Sequence, residues 1–189
     1  MASSYSTDLK IELMVTGENA GTWGDKTNDN LDVIEQAIAG FKQVSIAGGA
    51  QTTNLLINNS PDIATSDARN AVIKLSGTIT GNQIVTIPNG IEKTYIVENG
   101  TTGAFTVQFK QAGGTGPTFS TTDKGIKILY ANATNVIDVN SKLNTISLFT
   151  LPTTDGTSGQ VIQTNGSGAL SFVTPVTTGK AIAMAIVFG

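Results

Sequence analysis

Phe105-Thr106-Val107-Gln108-Phe109-Lys110 alternates apolar and polar side chains without a break. Successive side chains of an extended chain point to opposite faces. Phe105, Val107 and Phe109 therefore share one face, and the stretch predicts a half-buried strand. Working outward, Ile126, Ile128 and Tyr130 alternate in the same way around Lys127, while 71–75, 84–87 and 94–97 are rich in β-branched residues. Gly81-Asn82, Asn89-Gly90, Asn99-Gly100, Gly113-Gly114 and the stretch 132–135 lie between them. These pairs carry turn chemistry at roughly ten-residue intervals, the spacing of an antiparallel sandwich or meander. Residues 43–140 are expected to be this β domain. No long internal repeat is visible, so a solenoid is not expected.

The flanks read differently. Seven of the 14 carboxylates (Asp8, Glu12, Glu18, Asp25, Asp29, Asp32 and Glu35) precede residue 43. In this first region Leu31, Ile34, Ile38 and Phe41 recur at spacings of three and four, which predicts one short amphipathic helix. Asn28 is its expected N-cap, Asp29 and Asp32 suit the positive end of the helix dipole, and Gly40 closes it. Gly17, Gly21 and Gly24 set a tight path around the single tryptophan, Trp23, which is expected to pack on the Leu31, Ile34 and Ile38 face. Residues 1–42 thus form an N-terminal segment. Residues 141–189 form an extended arm of low charge, with a hairpin across 164–168. The arm ends in an apolar strand from Ala181 to Phe188, with Ile182, Met184, Ile186 and Phe188 on one side and a nearly all-Ala face on the other. That strand is expected to pair between subunits.

Composition narrows the chemistry. The chain has 189 residues, a net charge of −3, no His, no Cys and one Arg, Arg69. Nucleic acid is an unexpected partner, because phosphate neutralisation needs clustered cations. Without imidazole or thiol there is no Ser-His-Asp or Cys-His catalysis and no zinc site of the His/Cys type. Paired carboxylates (Asp62/Asp67, Glu92/Glu98, Asp123/Asp138) are the remaining candidates for acid and base chemistry. They lie beside turns, where solvated loop charge explains them. No Gly-rich phosphate loop follows a strand and no full calcium loop is present. Catalytic, cofactor and metal sites are therefore not expected. Met1 to Asp8 lacks a basic start followed by an apolar core, so no secretory leader is expected, and the run 181–188 is far shorter than the ~20 residues a membrane span needs. Charged residues make up only 13%, against about 25% in ordinary domains, and Thr, Asn, Ser and Gly replace them. Such a surface, combined with apolar stripes that one chain would struggle to bury, implies protein partners.

Three blocks carry a family resemblance. Tyr5 to Leu13, then Thr16-Gly17-Glu18-Asn19-Ala20-Gly21-Thr22-Trp23-Gly24, then Thr27-Asn28-Asp29-Asn30-Leu31, resembles the N-terminal segment of tailed-bacteriophage tail-fibre and related virion proteins. There, a Gly-x-Trp-Gly turn precedes Asn-x-Asn and an amphipathic helix. Ala68 to Thr80 and the later Asn-Gly turns look like the β domain that follows it, and Asp155 to Phe172 is similar to a hairpin of fibres and other trimeric surface proteins. The resemblance implies a non-enzymatic virion component of tail-fibre or fibre-adaptor type. It would be a homotrimer attached to other virion proteins through Trp23, Leu31, Ile34, Ile38 and Phe41, with a host-surface glycan or protein as a further partner. A capsid decoration (cement) protein is the alternative, and a carbohydrate-binding or carbohydrate-active β-sandwich a third.

Overall fold

The computed structural model of the chain describes residues 3–140, 145–146, 149–176, 179 and 186–187. They fall into two compact units, Met1–Asn140 and Ser141–Gly189. In chain order the first holds β1 (Ser4–Tyr5), β2 (Glu12–Leu13), α1 (Trp23–Ala39), β3 (Phe41–Ser45), β4 (Gln51–Asn54) and a 3-10 turn (Asp67–Arg69). It continues with β5 (Val72–Thr78), β6 (Gln83–Ile87), β7 (Glu92–Thr102), β8 (Val107–Gln111), β9 (Thr118–Phe119), β10 (Ile126–Asn132) and β11 (Val136–Asp138). The chain is mainly β with one helix near its N-terminus, as the alternation of apolar residues predicts.

Two sheets share one core. The first is ordered β11-β10-β7-β5-β3 and the second β4-β6-β8-β9. Val44, Ile73, Leu75, Tyr95, Val97 and Leu129 from the first meet Val85, Ile87, Val107, Phe109 and Phe119 from the second. Tyr95 and Phe109 touch edge to face across the layer, with ring centroids 5.7 Å apart. Phe105, Val107 and Phe109 all point inward as their alternation requires, whereas Ile126, Ile128 and Tyr130 point outward and leave Leu129 and Ala131 to the core.

The pairing differs from an all-antiparallel meander. β10 pairs antiparallel with β7 and β11, and β8 with β9. The strands between them are parallel: β3 with β5, β5 with β7, β4 with β6 and β6 with β8. Because the chain alternates between sheets, β3–β4, β5–β6 and β7–β8 are three stacked turns of one coil. Phe41, Val72 and Ile96 stand side by side in this stack, at unequal sequence spacing, so no period survives in the sequence. The turn signals mark corners where the chain changes sheet as well as hairpins. At one corner Gly48 donates its N–H to the Thr78 carbonyl (2.9 Å) and Ile79 to that of Thr102 (2.9 Å).

Corners leave backbone groups without a ladder partner, and buried amides fill them. Gln83 Nε2 donates to the Gly49 and Gly81 carbonyls (2.7 and 2.9 Å), Gln111 Nε2 to Ile91 (2.9 Å) and Asn99 Nδ2 to Asp123 (2.7 Å). The amide-rich, charge-poor composition thus serves the coil.

The second unit holds β12 (Thr145–Ile146), β13 (Phe149–Thr150), β14 (Val161–Thr164) and β15 (Leu170–Val173). β14 and β15 form the expected antiparallel hairpin around 164–168. The expected terminal strand does not match what is described of 181–188. Ile186 and Val187 are helical and exposed, and Ile182, Met184 and Phe188 lie outside the described residues.

Candidate interaction surface

α1 begins at Trp23, with Thr22 as N-cap, not at Asn28, and ends where the Gly40 N–H reaches the Gln36 carbonyl (3.0 Å). A Cβ at Gly40 would collide with that carbonyl and with Asn70 Oδ1, which accounts for glycine at the exit. One line of side chains fixes the helix's rotation. Lys26 Nζ pairs with Glu12 Oε2 at 3.2 Å. Asn30 brackets the Glu12 backbone, accepting its N–H and donating to its carbonyl, both at 2.9 Å. Val33 is fully buried. Gln36 donates to the Ile63 carbonyl (2.9 Å) and accepts from Arg69 Nη1 (3.0 Å).

Arg69 is the hub behind this arrangement. It is fully buried, and its guanidinium donates to the Leu9 carbonyl (3.0 Å), the Asp62 carbonyl (2.8 Å), Gln36 and the Asn58 carbonyl. It therefore ties the N-terminal segment, α1 and the β4–β5 connection into one body. Asp8 reinforces the tie by accepting the Glu92 N–H at 2.8 Å. Burial works against the charge on Arg69, and the neighbouring Asp62 favours it. The sole Arg of the chain is structural and turned away from solvent, which sequence reasoning did not foresee.

With Val33 inward, the apolar residues expected to pack together face solvent. Leu31 is 56% exposed, Ile38 74% and Phe41 57%, while Ile34 is half-buried. Trp23 is 66% exposed and does not pack on the Leu31, Ile34 and Ile38 face, which corrects the expectation drawn from its glycine-rich surroundings. Trp23 is the first helical residue, so its side chain is part of the exposed stripe and stands two turns away from Leu31 along the axis. Register places a second apolar row on the outer face of the first sheet: Phe41 beside Val72, Val72 beside Ile96 and Ile96 beside Ile128. Ile96 and Ile128 are both exposed. No sequence signal could have revealed this row, because it depends on pairing between distant strands.

Five of the six carboxylate candidates are committed to cations or to loop geometry. Asp67 pairs with Lys42 (2.7 Å) and Glu98 with Lys74 (2.7 Å), and Asp62 caps the Thr65 hydroxyl (2.6 Å) and N–H (3.1 Å). Asp123 and Asp138 do converge, at 3.0 and 3.2 Å, but on Lys127 between them. Burial raises the Asp123 pKa, and the Lys127 ammonium and Gly125 N–H outweigh it and hold the carboxyl below its ordinary range. A glycosidase acid needs the opposite shift. Among the described residues no cluster of three or more His, Cys, Asp or Glu side chains could hold a metal, and no helix is long and apolar enough to cross a membrane. A shallow depression of about 260 Å³ between Asn54, Leu56, Thr86 and Pro88 carries no titratable group. What this chain presents is apolar surface. No family model, no curated protein and no solved structure matches it.

Proposed function

We propose that this chain is a non-enzymatic structural protein of a bacteriophage virion, of tail-fibre or fibre-adaptor type, which works through oligomeric protein–protein contacts. One observation carries the reading: Leu31 and Ile38 are exposed on a helix whose rotation is fixed by Lys26, Asn30 and Gln36, with Phe41 exposed just beyond its end. An apolar stripe that cannot turn inward is stabilised only by another surface. The likeness of Thr16–Gly24 and Asn28-Asp29-Asn30 to fibre N-terminal segments supplies the particle, and the amide-lined coil suits a rigid spacer. In particles of the virus that encodes the chain, antibodies against the purified protein should label the tail in immunogold micrographs. Label confined to the head would favour the cement reading, and intact particles without the chain would refute a virion role.

A further inference from the structure

The geometry points to Asn165-Gly166, at the tip of the β14–β15 hairpin, as a self-modification site: the asparagine amide cyclises onto the next backbone nitrogen and opens to aspartate or isoaspartate. The chain has three Asn-Gly pairs, at 89–90, 99–100 and 165–166. Glycine lacks the Cβ that would shield its nitrogen, so each pair is chemically competent. The fold separates them. In the reaction the Gly166 nitrogen attacks Asn165 Cγ and gives up its proton while negative charge gathers on Oδ1. The Cγ–Nδ2 bond then breaks, and Nδ2 takes a proton from solvent and leaves as ammonia. Water opens the resulting succinimide at either carbonyl. One opening gives aspartate, and the other gives isoaspartate, which carries an extra methylene in the backbone.

Each group that this step needs is in place around Asn165. Its Oδ1 accepts the backbone N–H groups of Ser167 (2.8 Å) and Ala169 (3.0 Å), two donors aimed at the oxygen where charge develops. The bond to Ser167 closes a ring that contains both Cγ and the Gly166 nitrogen, so it holds the two reacting atoms together. Thr164 Oγ1 accepts the Gly166 N–H at 3.1 Å. A hydroxyl both accepts and donates, so Thr164 can take that proton while passing its own to solvent hydroxide. Asn165 is exposed, and a Cβ at Gly166 would meet nothing within 4 Å, which leaves room for water.

The other two pairs are held back. The Gly90 N–H is committed to the Ala133 carbonyl (2.9 Å) and to Gln111 Oε1 (3.3 Å), neither of which can relay a proton. One donor, the Gly113 N–H (2.7 Å), reaches Asn89 Oδ1. Asn99 is fully buried, its Nδ2 is held by the Asp123 carbonyl (2.7 Å), and Gly100 sits within β7 opposite Ser76 of β5. Conversion at Asn165 adds a negative charge to the stretch 143–179, where Asp155 is the one charged residue of the sequence. An aspartate there keeps both backbone donors, now charge-assisted, so the hairpin survives. The longer isoaspartate backbone displaces the Thr164–Leu170 register.

Incubating the purified full chain in mildly alkaline buffer, native and in urea, tests the site. Peptide mass spectrometry follows all three pairs, with chromatography separating the aspartate and isoaspartate forms. In the native chain Asn165 should convert at least ~tenfold faster than Asn89, and faster than it does itself in urea. Asn89 and Asn99 should show the reverse and speed up on unfolding. Thr164→Val, at an exposed strand position, should slow native Asn165, and Thr164→Ser, which keeps the hydroxyl, should retain the wild-type rate. A native Asn165 rate at or below its rate in urea overturns the proposal, as does a Thr164→Val chain that converts as fast as the wild type.

Discussion

Replacing Arg69 with methionine keeps much of the side-chain volume and removes every donor of the guanidinium. Four acceptors then lose their partner: the carbonyls of Leu9, Asn58 and Asp62, and Gln36 Oε1. A buried polar group left unpaired costs about 1–3 kcal/mol, so four would exceed the stability of many domains if nothing relaxed. Two effects reduce the loss. The guanidinium itself is desolvated in the native chain, a cost the variant escapes. The loop around 58–62 can also open to water. The net loss should be near the ~3–5 kcal/mol seen when a buried charged network loses one member. Urea unfolding followed by circular dichroism measures it. With a slope of about 2 kcal/mol/M, the midpoint should fall by roughly 1.5–2.5 M at unchanged slope. Amide exchange should accelerate most around residues 9–12 and in the second half of α1, the elements Arg69 holds. Arg69→Lys, which retains a charge but cannot fork to four acceptors, should recover less than half of the loss. A midpoint within about 0.25 M of wild type for Arg69→Met would refute the hub, since surface substitutions alone move stability that little.

Two further outcomes follow from the core. Burial, with the Arg69 charge adding to it, pulls the Lys93 ammonium from 10.5 down to about 8, and burial pushes the Tyr95 phenol above its usual 10.0. Below pH 8 Lys93 is charged in both states. Between 8 and 10.5 only the unfolded chain keeps that proton, so stability should rise with pH until Tyr95 ionises in the unfolded chain above 10 and reverses the trend. Urea midpoints between pH 7 and 11 should show this maximum, and Lys93→Met should flatten the rising limb. Gly103 lies at φ +105°, where a Cβ would collide with the Ile79 carbonyl, whereas Gly90, at φ +77°, faces open space. Gly103→Ala should therefore cost about 3 kcal/mol or more in thermal unfolding, and Gly90→Ala only the ~1–2 kcal/mol of its backbone conformation; equal effects would contradict the corner stacking.

The sequence made the strands legible because the same alternation that buries Val107 and Phe109 is written in consecutive residues. It did not reveal the parallel stacking. Phe41, Val72 and Ile96 become neighbours only after two crossovers of different length, and nothing local to any of them encodes the other two. The helix was legible as a helix but not in its rotation. Apolar spacing predicts which residues share a face, and the usual inference is that this face turns inward. Here Lys26, Asn30 and Gln36, which read as solvent-facing, make specific contacts with Glu12, Ile63 and Arg69 and claim the inward side with Val33.

That failure is informative about function. Turning Leu31 and Ile38 away from their own domain leaves an apolar stripe exposed, at a cost of about 1.5–3 kcal/mol for each large side chain left unburied. Trp23, exposed at the N-terminal end of the helix, adds to the cost. Under the proposed role, the inward contact is outweighed by one that another molecule provides, and local rules are expected to fail at functional surfaces for this reason. The inward face of α1 is hydrogen-bonded closely enough to hold the stripe in a fixed orientation before any partner arrives. Preorganisation of this kind spares the interface the entropy of ordering a loose segment on association. The polar contacts of Arg69, Asn30 and Lys26 and the exposed apolar stripe are therefore two halves of one device. The first fixes the direction in which the second points.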